Sequence, residues 1–218
     1  LGLGNTSDKN TPQRVGAESD WSLANGGTEF SCGLRGGMVF CWGRNRYGQI
    51  GNGQSGSTNV LTPSQVGTDS DWTQLTVGYQ HACGLRNGGE VWCWGRSNAY
   101  QLGEGVQVNR SEPVKVLGGE TYSQVVAGTY STCAVTTGGA LHCWGSNNNG
   151  QLGDGTITTR KSPTAIGSDS DWAEVYGGWY HMCGKKDDGR LYCWGENRTG
   201  QTGTGGAWEL APVPMLDP

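Results

Sequence analysis

The sequence is short of the residues that usually build a protein interior. It holds two phenylalanines and three methionines among 218 residues, and only 34% of its positions are hydrophobic. That excludes a thick aliphatic core. Buried area must come mainly from ten tryptophans and eight tyrosines, whose rings each cover far more surface than an aliphatic side chain. Basic residues are also in deficit, with a net charge of −4 and a pI near 5.3. Such a chain has no counterion-release drive onto phosphates, so nucleic acid is not an expected partner. No apolar run approaches the roughly 18 residues of a membrane helix, and no stretch keeps helical periodicity for as long as about ten residues. There is no phosphate-cradling motif and no lone cysteine or serine in a nucleophile setting. The three histidines have no acidic partner at a recurring offset. These absences leave neither a cofactor site nor an enzyme active site in view. Proline is sparse at seven residues, and the forty glycines follow no triplet period, a composition suited to many tight turns and not to collagen.

What the sequence does have is a repeat. Trp21, Trp72 and Trp172 each follow an acidic residue, with Tyr122 in the equivalent place, at spacings of 51, 50 and 50. After each comes a cysteine, a glycine turn, a second cysteine and Trp-Gly, as in FSCGLRGGMVFCWG and HACGLRNGGEVWCWG. A Gly-Gln element follows: Gly48-Gln49-Ile50-Gly51, Gly150-Gln151-Leu152-Gly153 and Gly200-Gln201-Thr202-Gly203, with Tyr100-Gln101-Leu102-Gly103 departing at its first residue. A segment holding Pro63, Pro113 or Pro163 leads to the next unit. The units span approximately 1–49, 50–101, 102–151 and 152–201, with a partial unit at 202–218, and are read as one repeat domain. Leu1 aligns with Leu152, so the chain reads as opening inside a repeat; a longer array and an exchanged terminal strand both fit that pattern. Short alternating runs such as Glu90-Val91-Trp92-Cys93-Trp94, bounded by glycines, predict strands. Many short strands at even spacing predict an all-β propeller or solenoid, with about four blades of about 50 residues.

The Leu-x-x-x-Gly-x-Val-x-x-Trp-Gly pattern, joined to Gly-Gln-Leu-Gly-x-Gly, resembles the regulator of chromosome condensation repeat family over nearly the whole chain. The resemblance implies a β-propeller, commonly of seven blades. Four full units are present, so a place in a longer, seven-bladed array stays open.

Eight cysteines fall two per unit. If Gly36-Gly37 is a two-residue turn, counting outward puts Cys32 opposite Cys41. Three-residue loops at 87–89, 137–139 and 187–189 likewise oppose Cys83 to Cys93, Cys133 to Cys143, and Cys183 to Cys193. Opposed residues of an antiparallel pair lie within disulfide reach, and the spacings are not those of zinc ligands. Paired cysteines predict an oxidising compartment: secreted, cell-surface, or periplasmic in a bacterium. They also depart from the family's nuclear members, so nucleotide exchange on a small nuclear GTPase carries over poorly.

The remaining candidates are weaker. Asn5, Asn109 and Asn197 open Asn-x-Ser/Thr sequons, read as N-glycan acceptors on loops against the alternative of chance. Asp69-Ser70-Asp71 and Asp169-Ser170-Asp171 offer alternating carboxylates but lack a full calcium set, and turn chemistry explains them better. No metal ligand is assigned. His81 and His181 occupy equivalent places and read as packing elements. Trp42, Trp94, Trp144 and Trp194 recur in every unit and are architectural. Trp92, Trp179, Trp208 and Tyr100 are less regular and are candidate ligand-facing aromatics, the kind that stack on sugars. The sequence therefore predicts a non-enzymatic extracellular scaffold for protein contact or self-assembly, with a carbohydrate-binding lectin as the alternative.

Overall fold

Glycine placement decides where this chain turns. In the computed structural model, which describes residues 1–205 and 208–215, Gly36 and Gly37 take φ of 53° and 72°, and Gly89 takes 79°. These left-handed values close the central hairpins at little steric cost. The first hairpin pairs Arg35 with Met38, and the second pairs Arg86 with Glu90.

Among the described residues, sixteen strands form four antiparallel sheets of four. The first blade holds β1 (Trp21–Gly26), β2 (Phe30–Arg35), β3 (Met38–Gly43) and β4 (Val60–Gln65). The second holds β5 (Trp72–Val77), β6 (His81–Arg86), β7 (Glu90–Gly95) and β8 (Arg110–Lys115). The third holds β9 (Tyr122–Ala127), β10 (Ser131–Thr136), β11 (Leu141–Gly145) and β12 (Arg160–Ala165). The fourth holds β13 (Trp172–Gly177), β14 (His181–Lys186), β15 (Leu191–Glu196) and β16 (Trp208–Pro214). Within each blade the strands lie in chain order. Each blade takes its first three strands from one sequence unit and its fourth from the next. That fourth strand carries the proline (Pro63, Pro113, Pro163 or Pro212), as suits an edge where one N–H can be spared.

The cysteines face each other as the hairpin count requires. Cys32–Cys41, Cys83–Cys93, Cys133–Cys143 and Cys183–Cys193 are bonded, each with Cα atoms 4.1 Å apart. Among the described residues no cysteine is free.

The core lies between blades as well as within them. One cluster joins Phe30, Leu34, Val39, Ile50 and Val66 to Trp72, Leu75 and Trp94 of the next blade, and the following two junctions repeat the pattern. Trp94, Trp144 and Trp194 are fully buried, each worth roughly 4–6 kcal/mol of transfer free energy at the usual area coefficient. Backbone bonds strap the junctions at both ends. The hairpin glycine carbonyls of Gly37, Gly89 and Gly139 accept the N–H groups of Trp72, Tyr122 and Trp172. At the other end Gly53, Gly105 and Gly155 donate to Ser111, Lys161 and Leu210 on the next blade's fourth strand.

Candidate functional site

Most of the recurring polar residues are used up inside the architecture. The side chains of Gln49, Gln101, Gln151 and Gln201 accept the backbone N–H two residues earlier, and so tie their own loops. Asn45 accepts from Ile50 N–H at 3.1 Å and Asn147 from Leu152 N–H at 2.9 Å. Asn197 does the same for Thr202 at 2.8 Å, and its Nδ2 donates to Thr204. Asn197 is 4% exposed, so the expected glycan acceptor is instead a loop brace with both ends of its amide engaged. Asn5 and Asn109 are exposed, although Asn109 Oδ1 accepts from Ser97 N–H at 3.0 Å.

The acidic turns are likewise structural. Arg86 bonds Asp71 at 2.7 Å and Asp69 at 2.9 Å while lying over the Trp72 ring. Lys186 repeats this with Asp169, Asp171 and Trp172, and Arg35 with Glu18, Asp20 and Trp21. Hydrogen bonds to Asp169 and then Asp171 hold the Lys186 ammonium well above its ordinary value. Each of these ring-stacked cations is thus matched by two carboxylates. Among the described residues no group of three or more His, Cys, Asp or Glu is placed to hold a metal ion. No helix there is long and apolar enough to cross a membrane.

The four aromatics expected to face a ligand do not meet. Trp92 is half-buried on β7, with Arg86 over its ring and its Nε1 on Glu90. Trp208 lies on β16 at 51% exposure beneath Arg198. Tyr100 sits in a loop with φ 62° and Lys161 over it. Trp179 lines a cavity with residues of the other blades. The four aromatics come from different strands and loops of two blades, the second and the fourth, and form no shared platform.

Trp179 instead stands at the mouth of a cavity where turns of all four blades meet. The turns after β1, β5, β9 and β13 converge on a cavity of about 380 Å³ walled by Gly27, Gly78, Gly128 and Gly178. A Cβ on Gly27 would lie 2.9 Å from the Gly78 carbonyl, and one on Gly128 would lie 3.2 Å from that of Gly178. Glycine lets successive blades approach this closely. Tyr79 and Trp179 stand at the rim, and Trp179 is 80% exposed.

Antiparallel order places the β3–β4 type loops at the same end as this mouth. They bring Arg96 beneath the Tyr47 and Tyr130 rings, 4.8 and 5.7 Å from their centroids. Arg96 Nη1 is fixed by Gln80 Oε1 at 2.7 Å. Tyr130 meets Tyr79 edge to face at 5.4 Å, and exposed Arg46 lies 5.6 Å from the Tyr47 centroid. These tyrosines and arginines lie outside the recurring motifs, and no single unit marks them as a site. Comparing units would have found them. The residue after Trp-Gly is Arg44 in the first unit and Arg96 in the second, while the residue it returns to is Glu29 in one and Gln80 in the other.

This architecture defines a β-propeller repeat protein. Models of the regulator of chromosome condensation (RCC1) repeat match residues 36–85, 88–135 and 138–184, and a second model of that repeat matches 72–101, 122–151 and 172–201. The chain belongs to the RCC1 repeat family. It is 32% identical over 126 residues to the ultraviolet-B receptor UVR8 of Arabidopsis thaliana, covering 53% of this chain and 27% of that one. Human WBSCR16 superposes with a TM-score of 0.82 at 21% identity, over 91% of this chain and 53% of that one. Yeast RCC1 (Prp20), in its structure with Kap60, gives 0.82 at 18% identity, over 96% and 52%. The chain thus spans about a quarter of the first relative and about half of each of these propellers. Its four bridges are of a kind that persists in oxidising compartments.

Proposed function

We propose that this chain is a non-enzymatic scaffold that works outside the cell or at its surface, holding a protein partner on the face that carries the mouth of the four-blade cavity. One observation carries the reading. Trp179 is 80% exposed at the rim of a cavity to which all four blades contribute, while the repeated tryptophans after each second cysteine are buried. An exposed tryptophan beside a formed cavity is the kind of anchor on which interfaces concentrate their energy. Yeast RCC1, which shares this fold, has been solved bound to the protein Kap60. The disulfides support an extracellular site of action, and Asn5 and Asn109 are taken as its N-glycan acceptors.

The test is capture from the extracellular fluid of the source, comparing immobilised wild type with Trp179→Ala. Wild type should retain a defined protein that the variant loses. Identical captures by the two, or none by either, would end the reading. Enzymatic deglycosylation followed by intact mass checks Asn5 and Asn109.

A further inference from the structure

Ring-stacked cations occur at both ends of the propeller, and they are not equivalent. At the end away from the mouth, Arg35, Arg86 and Lys186 each pair with two carboxylates. At the mouth end, Arg44 is neutralised by Glu29. Arg96 occupies the place in the second blade that Arg44 occupies in the first, and there Glu29 is replaced by Gln80. The amide fixes the guanidinium without cancelling its charge. Among the described residues neither Arg96 nor Arg46 has a carboxylate within ion-pair distance. Both are bound to the Tyr47 ring, and Tyr130 closes over Arg96 from the third blade. Stacking holds a guanidinium in place while its edge donors stay available, and a planar fork so held suits a carboxylate.

We propose that this face takes an acidic peptide segment whose carboxylates meet Arg96 and Arg46 and whose chain runs over Tyr79 into the glycine-walled mouth. This rests on the protein-binding reading above and names the partner's chemistry. Tyr79 makes the two parts continuous, since it packs on Tyr130 and also lines the mouth. A peptide is favoured over an anionic polysaccharide by the local composition. There are two uncompensated guanidiniums set among tyrosine rings, on a chain of net charge −4, where a polyanion would call for a long cationic stripe. Tyrosines next to arginines suit a segment that alternates acidic and aromatic side chains.

The experiment uses the whole chain and a fluorescein-labelled peptide, Gly-Glu-Glu-Tyr-Glu-Glu-Gly, read by anisotropy. Binding should weaken as salt rises. Arg46→Gln with Arg96→Gln should weaken it by at least about tenfold. Lys115→Gln with Arg190→Gln, removing the same charge from the opposite end, should leave it within about twofold. Arg96→Lys keeps the charge and loses the planar stack, and should fall between. Circular dichroism confirms that each variant is folded. Equal weakening by the two double variants, no weakening by the first, or tighter binding of a heparin oligosaccharide would overturn the proposal. If the peptide fails while Trp179-dependent capture persists, the acidic-segment inference falls and the protein-binding reading stands.

Discussion

The indole Nε1 of Trp94 donates to the backbone carbonyl of Gln49 at 3.1 Å, from one blade to the loop of the blade before it. Trp144 to Gln101 and Trp194 to Gln151 repeat the bond at 3.0 and 3.1 Å. The closing glycine of each of these three elements, Gly51, Gly103 or Gly153, lies against the same indole. A Cβ on Gly51 would come within 2.7 Å of Trp94 Nε1, and one on Gly103 within 2.7 Å of Trp144 Nε1. Two motifs about 45 residues apart in the chain thus act as one joint.

Comparing the same truncation at two joints separates the bond from the packing lost with the ring. Trp94→Phe keeps most of the ring but leaves a buried carbonyl unpaired, and should cost about 1–3 kcal/mol. Trp144→Phe should cost less, because the Gln101 carbonyl also accepts from Thr132 Oγ1 at 2.8 Å. Urea midpoints of the two variants give the order.

Glycine substitutions separate contact from conformation. Gly51 (φ 76°) and Gly88 (φ 92°) both hold left-handed backbone, but nothing lies within 4 Å of a Cβ on Gly88. Gly88→Ala should cost only the conformational penalty, about 1–2 kcal/mol. Gly51→Ala adds a collision with Trp94 and Val66 and should exceed it by at least about 1–3 kcal/mol. Equal thermal midpoints would refute the joint.

The two halves of this joint were legible as recurring motifs, but their partnership was not. Strand alternation and glycine turns are local, so the hairpin register, and with it the cysteine pairing, can be counted from sequence. The Gln49 carbonyl is a backbone atom that leaves no mark on residue type, and its partner depends on how blades stack. Asn197 shows the same limit. A three-residue sequon is read locally, whereas the burial of Asn197 follows from the loop folding back through Thr202 and Thr204. Arg96 is legible only by difference, through Gln80 standing where Glu29 stands one unit earlier.

Each disulfide closes a short loop of nine or ten residues. Cys83→Ala with Cys93→Ala should therefore cost about 2–3 kcal/mol, the lower part of the disulfide range. A reductant should lower the wild-type urea midpoint further than the double mutation does, since it opens four bridges. Intact mass with and without reduction checks the count, with a difference of eight hydrogens expected.

Trp179→Ala is the converse case. An 80% exposed ring contributes little to folding, so stability should change by no more than about 0.5 kcal/mol. A large loss would mean that the ring is part of the framework and not of a binding face.

His81 contributes to the response to acid. It is fully buried, and burial pushes its imidazole from an ordinary 6.5 down to about 3. Nε2 lies 3.1 Å from Thr132 Oγ1, whose own hydrogen is spent on the Gln101 carbonyl, so Nε2 carries the proton and Nδ1 is the bare nitrogen. Among the described residues Nδ1 has no partner. Between pH 6.5 and about 3 the unfolded chain holds a proton here that the folded chain does not. Stability from this site is therefore intact above 6.5 and is lost as pH falls through that window. The first blade shows how to remove the effect, since Phe30 occupies the same place beneath Gly27 that His81 occupies beneath Gly78. His81→Phe should cost about 0.5–1.5 kcal/mol at neutral pH through the lost bond to Thr132, and should flatten the decline in thermal midpoint between pH 6 and 4. Acid unfolding of the variant parallel to wild type across that interval would show that the imidazole is not the group being titrated.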